Sequence, residues 1–96
     1  MTEWLYPKTV EAVERACALF LSGGLARSDL QAALYKAEQE VVAYEERWFR
    51  SLLCDAENRI EEITYTESSE RHSALIALIV HQLLESMRRG DLLHAQ

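Results

Sequence analysis

The sequence predicts an all-α fold, a small antiparallel bundle of three to four helices with one long central helix, and three observations carry that expectation. The chain holds three Gly and one Pro in 96 residues, too few punctuating residues for a turn-rich β architecture. Apolar residues make up 49% of it, too many for a disordered polar chain. From Ser28 to Ile63 there is neither Gly nor Pro, and apolar side chains recur at steps of three and four: Leu30, Leu34, Ala37, Val41, Tyr44, Trp48, Leu52, Ala56, Ile60, Ile63. Steps of that size hold a stripe on one side of an α-helix, whose side-chain period is about 3.6 residues. A chain of this length builds one modest core, so residues 1–96 form a single domain.

The first helix is expected to begin near Pro7, because a proline in the first helical turn lacks only an N–H that would have no partner there. Val10, Val13, Cys17, Phe20 and Leu21 fall on one face of it, and Gly23 or Gly24 supplies the left-handed stop. Trp4, ahead of the helix, is expected to pack on the bundle. After the linker GGLAR, Ser28 and Gln31 have the spacing of a capping box. The pattern that follows runs 36 residues, or about 54 Å of helix, which would overhang a domain whose radius of gyration should be near 13 Å. A break is therefore expected, and Cys54 to Asn58 is where Asp55 and Asn58 favour caps and turns. The β-branched, alternating Ile63-Thr64-Tyr65-Thr66 offers a short strand as the competing reading. His72, Leu75, Ile76, Ile79, Leu83 and Met87 place a last helix over about Glu67 to Arg89, with Gly90 as its stop and residues 91–96 as a loose tail.

Enzyme signatures are sparse. The histidines at 72, 81 and 94 form neither Glu-x-x-His nor His-x-x-x-His pairs, and His81 with Glu85 is better read as a surface pair than as metal ligands. Cys17 and Cys54 lie on or beside apolar faces with no C-x-x-C spacing, so they are expected to be reduced, unreactive core thiols. Gly23-Gly24 is not part of a phosphate-binding G-x-x-x-x-G-K loop. No catalytic residue, cofactor or metal is expected. FLSGGLARSDLQAAL imitates a helix-turn-helix, and Arg47-Trp48-Phe49-Arg50 is a basic and aromatic cluster. Yet the helix that would read DNA carries Glu38, Glu40, Glu45 and Glu46, which repel phosphate. The apolar run from Ala74 to Val80 falls far short of the roughly 20 residues that span a bilayer, and the first residues lack the pattern of an export signal. A cytoplasmic protein with no membrane contact is the expectation.

Charge is the most informative functional feature. Sixteen acids against ten bases give a net charge of −6, a field that attracts basic partners and repels nucleic acid. Between Asp55 and Glu70 lie six acids, Asp55, Glu57, Glu61, Glu62, Glu67 and Glu70, and one base, Arg59. With Tyr65 as an aromatic anchor, these residues form the candidate surface for docking a basic protein.

Ala18 to Leu34, ALFLSGGLARSDLQAAL, resembles the colicin D type of immunity proteins, which occur with bacterial tRNase toxins and contact-dependent inhibition systems. The first helix of that family ends in an apolar-Phe-Leu-x-Gly turn, followed by an aliphatic residue and a capped second helix. Phe20, Leu21, Gly23, Leu25, Ser28 and Leu30 occupy those places here. The resemblance implies a four-helix bundle that uses an acidic surface, in place of nucleic acid, to plug the basic RNA-binding cleft of a cognate nuclease. The leading expectation is thus a non-catalytic immunity protein. A phage-encoded inhibitor of the anti-CRISPR type would use similar electrostatics on another target, and a structural subunit that oligomerises through its long helix is the alternative of a different class.

Overall fold

The computed structural model describes residues 6–42 and 46–93. It contains four helices, α1 (Pro7–Leu21), α2 (Arg27–Glu40), α3 (Arg47–Thr66) and α4 (Ser69–Leu93), and no strand among the described residues. Each helix packs on its neighbour in the chain, and α1 also meets α4, which closes a ring of four. The short links reverse the chain each time, so neighbours run antiparallel. The radius of gyration is 13.2 Å and the extents are 42 × 22 × 20 Å.

Helix α1 starts at Pro7 as the sequence indicates, with Val10 N–H bonded to the Tyr6 carbonyl at 3.0 Å. It ends in a Schellman turn: Gly24 N–H reaches the Leu19 carbonyl at 2.8 Å and Gly23 N–H the Phe20 carbonyl at 3.0 Å. Gly23 takes φ +84°, a backbone region that a Cβ would disfavour. At the other end of the hairpin, Thr9 Oγ1 donates to Glu40 Oε1 at 3.0 Å and the Val42 N–H points to the Tyr6 hydroxyl at 3.4 Å. α1 and α2 are thus tied at both ends as a hairpin lying side by side, not crossed steeply as in a helix-turn-helix.

Several expectations are corrected. The capping box is not formed: α2 begins at Arg27 behind Ala26, no side chain caps it, and Gln31 instead accepts a 2.7 Å hydrogen bond from Arg27 Nη1. The long pattern does break, but at residues 41–46, not at Cys54 to Asn58. Val41 leaves the helix with extended φ −88°, ψ 94° while its side chain stays in the core, and α3 restarts after Glu46. Asp55 and Asn58 sit on the outside of α3, where their weak helix preference costs a few tenths of a kcal/mol each; burial of Leu53, Ala56 and Ile60 on the inside outweighs it. Ile63 to Thr66 is helical as well, with the hydroxyls of Thr64 and Thr66 bonded back to the carbonyls of Ile60 and Glu62. Tyr44 and Trp4 lie outside the described residues.

The break shifts the stripe by one residue. Phe49 and Leu53, not Trp48 and Leu52, are fully buried in α3, together with Leu30, Leu34, Val13, Cys17, Ile60 and Ile76 from around the ring. Trp48 is half-buried with its indole close against Gly90, which is not a stop: α4 continues through it to Leu93. Leu21, expected on the inner face of α1, is 36% exposed. A Cβ on Gly90 would overlap the ring carbons of the Trp48 indole.

Alanine in place of glycine normally favours a helix by about 1 kcal/mol. Here the overlap reverses the sign, and Gly90→Ala should lower stability by about 1–3 kcal/mol, measured by chemical denaturation. Trp48→Ala in the same chain should recover the helix gain, so that adding Gly90→Ala to Trp48→Ala is neutral or stabilising.

Candidate functional site

The seven residues expected at the partner surface all fall on α3, the turn after it and the first turn of α4, yet the helix divides them. Glu57, Glu61 and Tyr65 are four apart and form one row on the flank of α3 that faces α2. Asp55 and Glu62 lie on the other flank. Asp55 lines a groove of about 290 Å³ between α3 and α4 with Arg59 and Arg89 of this same chain. Glu62 is exposed. Glu67 closes α3 and pairs with Arg71 at 2.9 Å, while its carbonyl holds His72 Nε2 at 2.8 Å. Glu70 is exposed in the first turn of α4, where the helix dipole favours a carboxylate.

What the sequence did not reveal is the contribution of α2. Because the chain reverses at 41–46, α2 folds back along α3 and sets Glu38 against Glu57, carboxyl to carboxyl, in hydrogen-bond contact. Two carboxyl groups share such a bond only while one keeps its proton. The Glu57 carboxyl is held above the usual range, first by partial burial, then by the hydrogen bond it donates to Glu38 when protonated and by the negative charges of Glu38 and Glu61. Tyr35, three residues before Glu38 on the same flank, stands near the height of Glu61, since in antiparallel helices a step of three back from 38 and a step of four on from 57 run in the same direction. Tyr35 is 54% exposed and Tyr65 80%. The assembled surface is therefore a cluster of three carboxyls, with Tyr35 near Glu61 and Tyr65 one turn farther along α3, both tyrosines open to solvent. Locating the break correctly is the only sequence signal that would have brought Tyr35 and Glu38 to it.

The remaining chemistry-bearing groups are placed differently. Cys17 is fully buried, and burial followed by the charge of Glu14 pushes its thiol up to about 11. Cys54 is half-buried on the outer part of α3, 3.7 Å from Asn58 Nδ2. Both are free thiols on helices that do not touch. Phe49 of the basic and aromatic cluster is wholly internal, and Arg47 and Arg50 flank it on the exposed side. Among the described residues, no three His, Cys, Asp or Glu side chains gather in a way that could hold a metal ion. No described helix is long and apolar enough to cross a membrane.

Two measurements follow from this geometry. Since the folded Glu57 keeps its proton to higher pH than the unfolded chain does, its contribution to stability is complete at acid pH and is lost as pH rises through its folded value. Glu57→Gln should accordingly raise stability at pH 7 by about 0.5 kcal/mol, the scale of a like-charge pair between helix neighbours, and the gain should vanish near pH 4 in thermal melts. In timed alkylation at pH 8 read by mass spectrometry, Cys54 should be modified well before Cys17, which should react only as the protein unfolds.

No protein-family model matches this chain, and no curated protein or solved structure matches it significantly.

Proposed function

We propose that this chain is a non-catalytic binding protein that docks through its α2–α3 face on a basic protein surface. The observation that supports this most is the seam itself, where Glu38, Glu57 and Glu61 are crowded together at a cost in repulsion. An arginine or lysine brought by a partner would offset that repulsion with charge-assisted hydrogen bonds and make binding favourable where folding alone is penalised. Tyr35 and Tyr65, both exposed toward one end of that cluster, supply rigid, amphipathic contact area, the residue type that often carries binding energy at interfaces.

The partner we favour is a nuclease toxin whose cationic, RNA-binding cleft is covered by this face, which makes the chain an immunity protein. The resemblance of Ala18 to Leu34 to the colicin D type of immunity proteins and the net charge of −6 both support that choice. Blocking a cleft requires shape and charge, not chemistry, and the rigid helical bundle supplies both.

The test is capture of partners from the source cells on the immobilised chain, followed by binding of the purified partner to two variants. The partner should be a basic nuclease that the chain inhibits in stoichiometric amounts. Glu57→Lys with Glu61→Lys should weaken binding at least a hundredfold, while Glu62→Lys with Glu70→Lys should change it less than tenfold. Equal binding by the Glu57/Glu61 variant would remove this face from the account, and a partner without nuclease activity would remove the immunity role.

A further inference from the structure

Glu85 lines both grooves that flank α4, the one of about 750 Å³ against α1 and the one of about 290 Å³ against α3, so it stands on the crest of the helix that points away from the bundle. Leu78 and Arg71 lie seven and fourteen residues before it, two and four turns back, on the same crest. Leu78 is 58% exposed, the one large apolar side chain of α4 left open among the described residues. A single exposed leucine is ordinary; the charges placed about this one are ordered. Glu67, in the turn before α4, pairs with Arg71 at 2.9 Å on one side of it, and Glu85 pairs with Arg89 at 2.8 Å on the other. Arg71 and Glu85 stand seven residues either side of Leu78, Glu67 and Arg89 eleven, and the charges at each distance are opposite in sign. Arg71, Glu85 and Arg89 each keep more than half of the side chain exposed.

We infer that this crest of α4 is an interface between two copies of the chain, packed antiparallel about a twofold axis at Leu78. In such an interface each contact occurs twice, because a residue that meets another is met by it in turn. Turning the second copy end for end about Leu78 sets Arg71 of one against Glu85 of the other, and Glu67 against Arg89. Each Arg71 then lies between its own Glu67 and the Glu85 of the second copy, and each Glu85 between its own Arg89 and the Arg71 of the second copy, so every neighbour is of opposite charge. A parallel pair would place Arg71 on Arg71 and Glu85 on Glu85, which selects the antiparallel arrangement. The two Leu78 side chains meet on the axis beside the exposed Ala74 of each copy, and the Arg71 and Glu85 pairs fall about 10 Å to either side of it. One helix laid on another buries less than the about 1,200–2,000 Å² of stable complexes, and the net charge of −6 on each copy opposes association. The dimer should therefore be weak and fill only towards millimolar concentration. The site shares no residue with the Glu38, Glu57 and Glu61 cluster and does not rest on the immunity reading.

The experiment is sedimentation equilibrium of the whole chain from micromolar to millimolar concentration, where the mass should rise from monomer towards dimer. Two double variants reverse the charges on one side of Leu78 while keeping opposite charges within each helix pair: Glu67→Arg with Arg71→Glu, and Glu85→Arg with Arg89→Glu. Either one alone should associate at least tenfold more weakly, because like charges then face each other across the axis. Mixed in equal amounts, the two should form a heterodimer within about threefold of the original affinity, because every cross pair is complementary again. Leu78→Lys, at an exposed position, should also weaken the dimer at least tenfold; circular dichroism checks that each variant is folded. The proposal is overturned if the unaltered chain stays monomeric at millimolar concentration, which would leave this crest to a different partner or to none. It is equally overturned if either double variant or Leu78→Lys associates as the unaltered chain does, or if the mixture associates no better than its parts.

Discussion

The structure depends on burying one apolar stripe on all sides with fewer than a hundred residues. Left straight, the 36-residue pattern would have exposed most of its inner face, because the remaining chain is too short to cover a rod of that length. At about 25 cal/mol per Å² of apolar surface, leaving even a few leucines uncovered costs more than a helix break does. The chain therefore reverses at 41–46, and Val41 and Phe49 on either side of the reversal are both fully internal. What holds the reversal is packing. Thr9 and Tyr6 tie the start of α1 to the end of α2, and Trp48 lies against a helix position where only glycine leaves room for its indole.

The same reversal creates the electrostatic feature. Glu38 and Glu57 are nineteen residues apart in sequence and would be nowhere near each other on a continuous helix. Folding α2 along α3 presses them together because Leu30, Leu34, Leu53 and Ile60 must share one core. Apolar burial thus does the work of assembling like charges, and the seam stores a modest repulsion that a cation can release. In this account the core fixes where the carboxyls stand, and the carboxyls set which partners are favoured. The tyrosines add contact area without adding charge. On the α1–α4 side the helices meet less closely and leave an open groove with charged side chains on both walls.

Much of the fold was legible in the sequence because it rests on local rules. Pro7 and Gly23 mark the ends of α1 through backbone geometry that few other residues satisfy. The all-helical class follows from the scarcity of Gly and Pro and from spacings of three and four. Illegible features depended on contacts between distant residues. The break at 41–46 carries no Gly or Pro, and the local preferences of Asp55 and Asn58 point to the wrong place. Gly90 has the position of a helix stop, yet its meaning is the Trp48 ring that lies on it. The acidic run from 55 to 70 was visible as composition, but a run in sequence is not a patch in space. Helical geometry sends Asp55 to a groove with Arg59 and Arg89 and gives Glu67 to Arg71, while Glu38 and Tyr35 join from another helix.

The central claim is that the fold holds the Glu57 carboxyl above its ordinary range and that a basic partner brings it down again. Direct titration of the Glu57 side-chain carboxyl by carbon NMR tests it. In the isolated chain its midpoint should lie above those of the exposed glutamates, and in the complex with a basic protein it should drop to or below them. A Glu57 that titrates with the other glutamates in the free chain, or whose midpoint does not move on binding, would contradict the account.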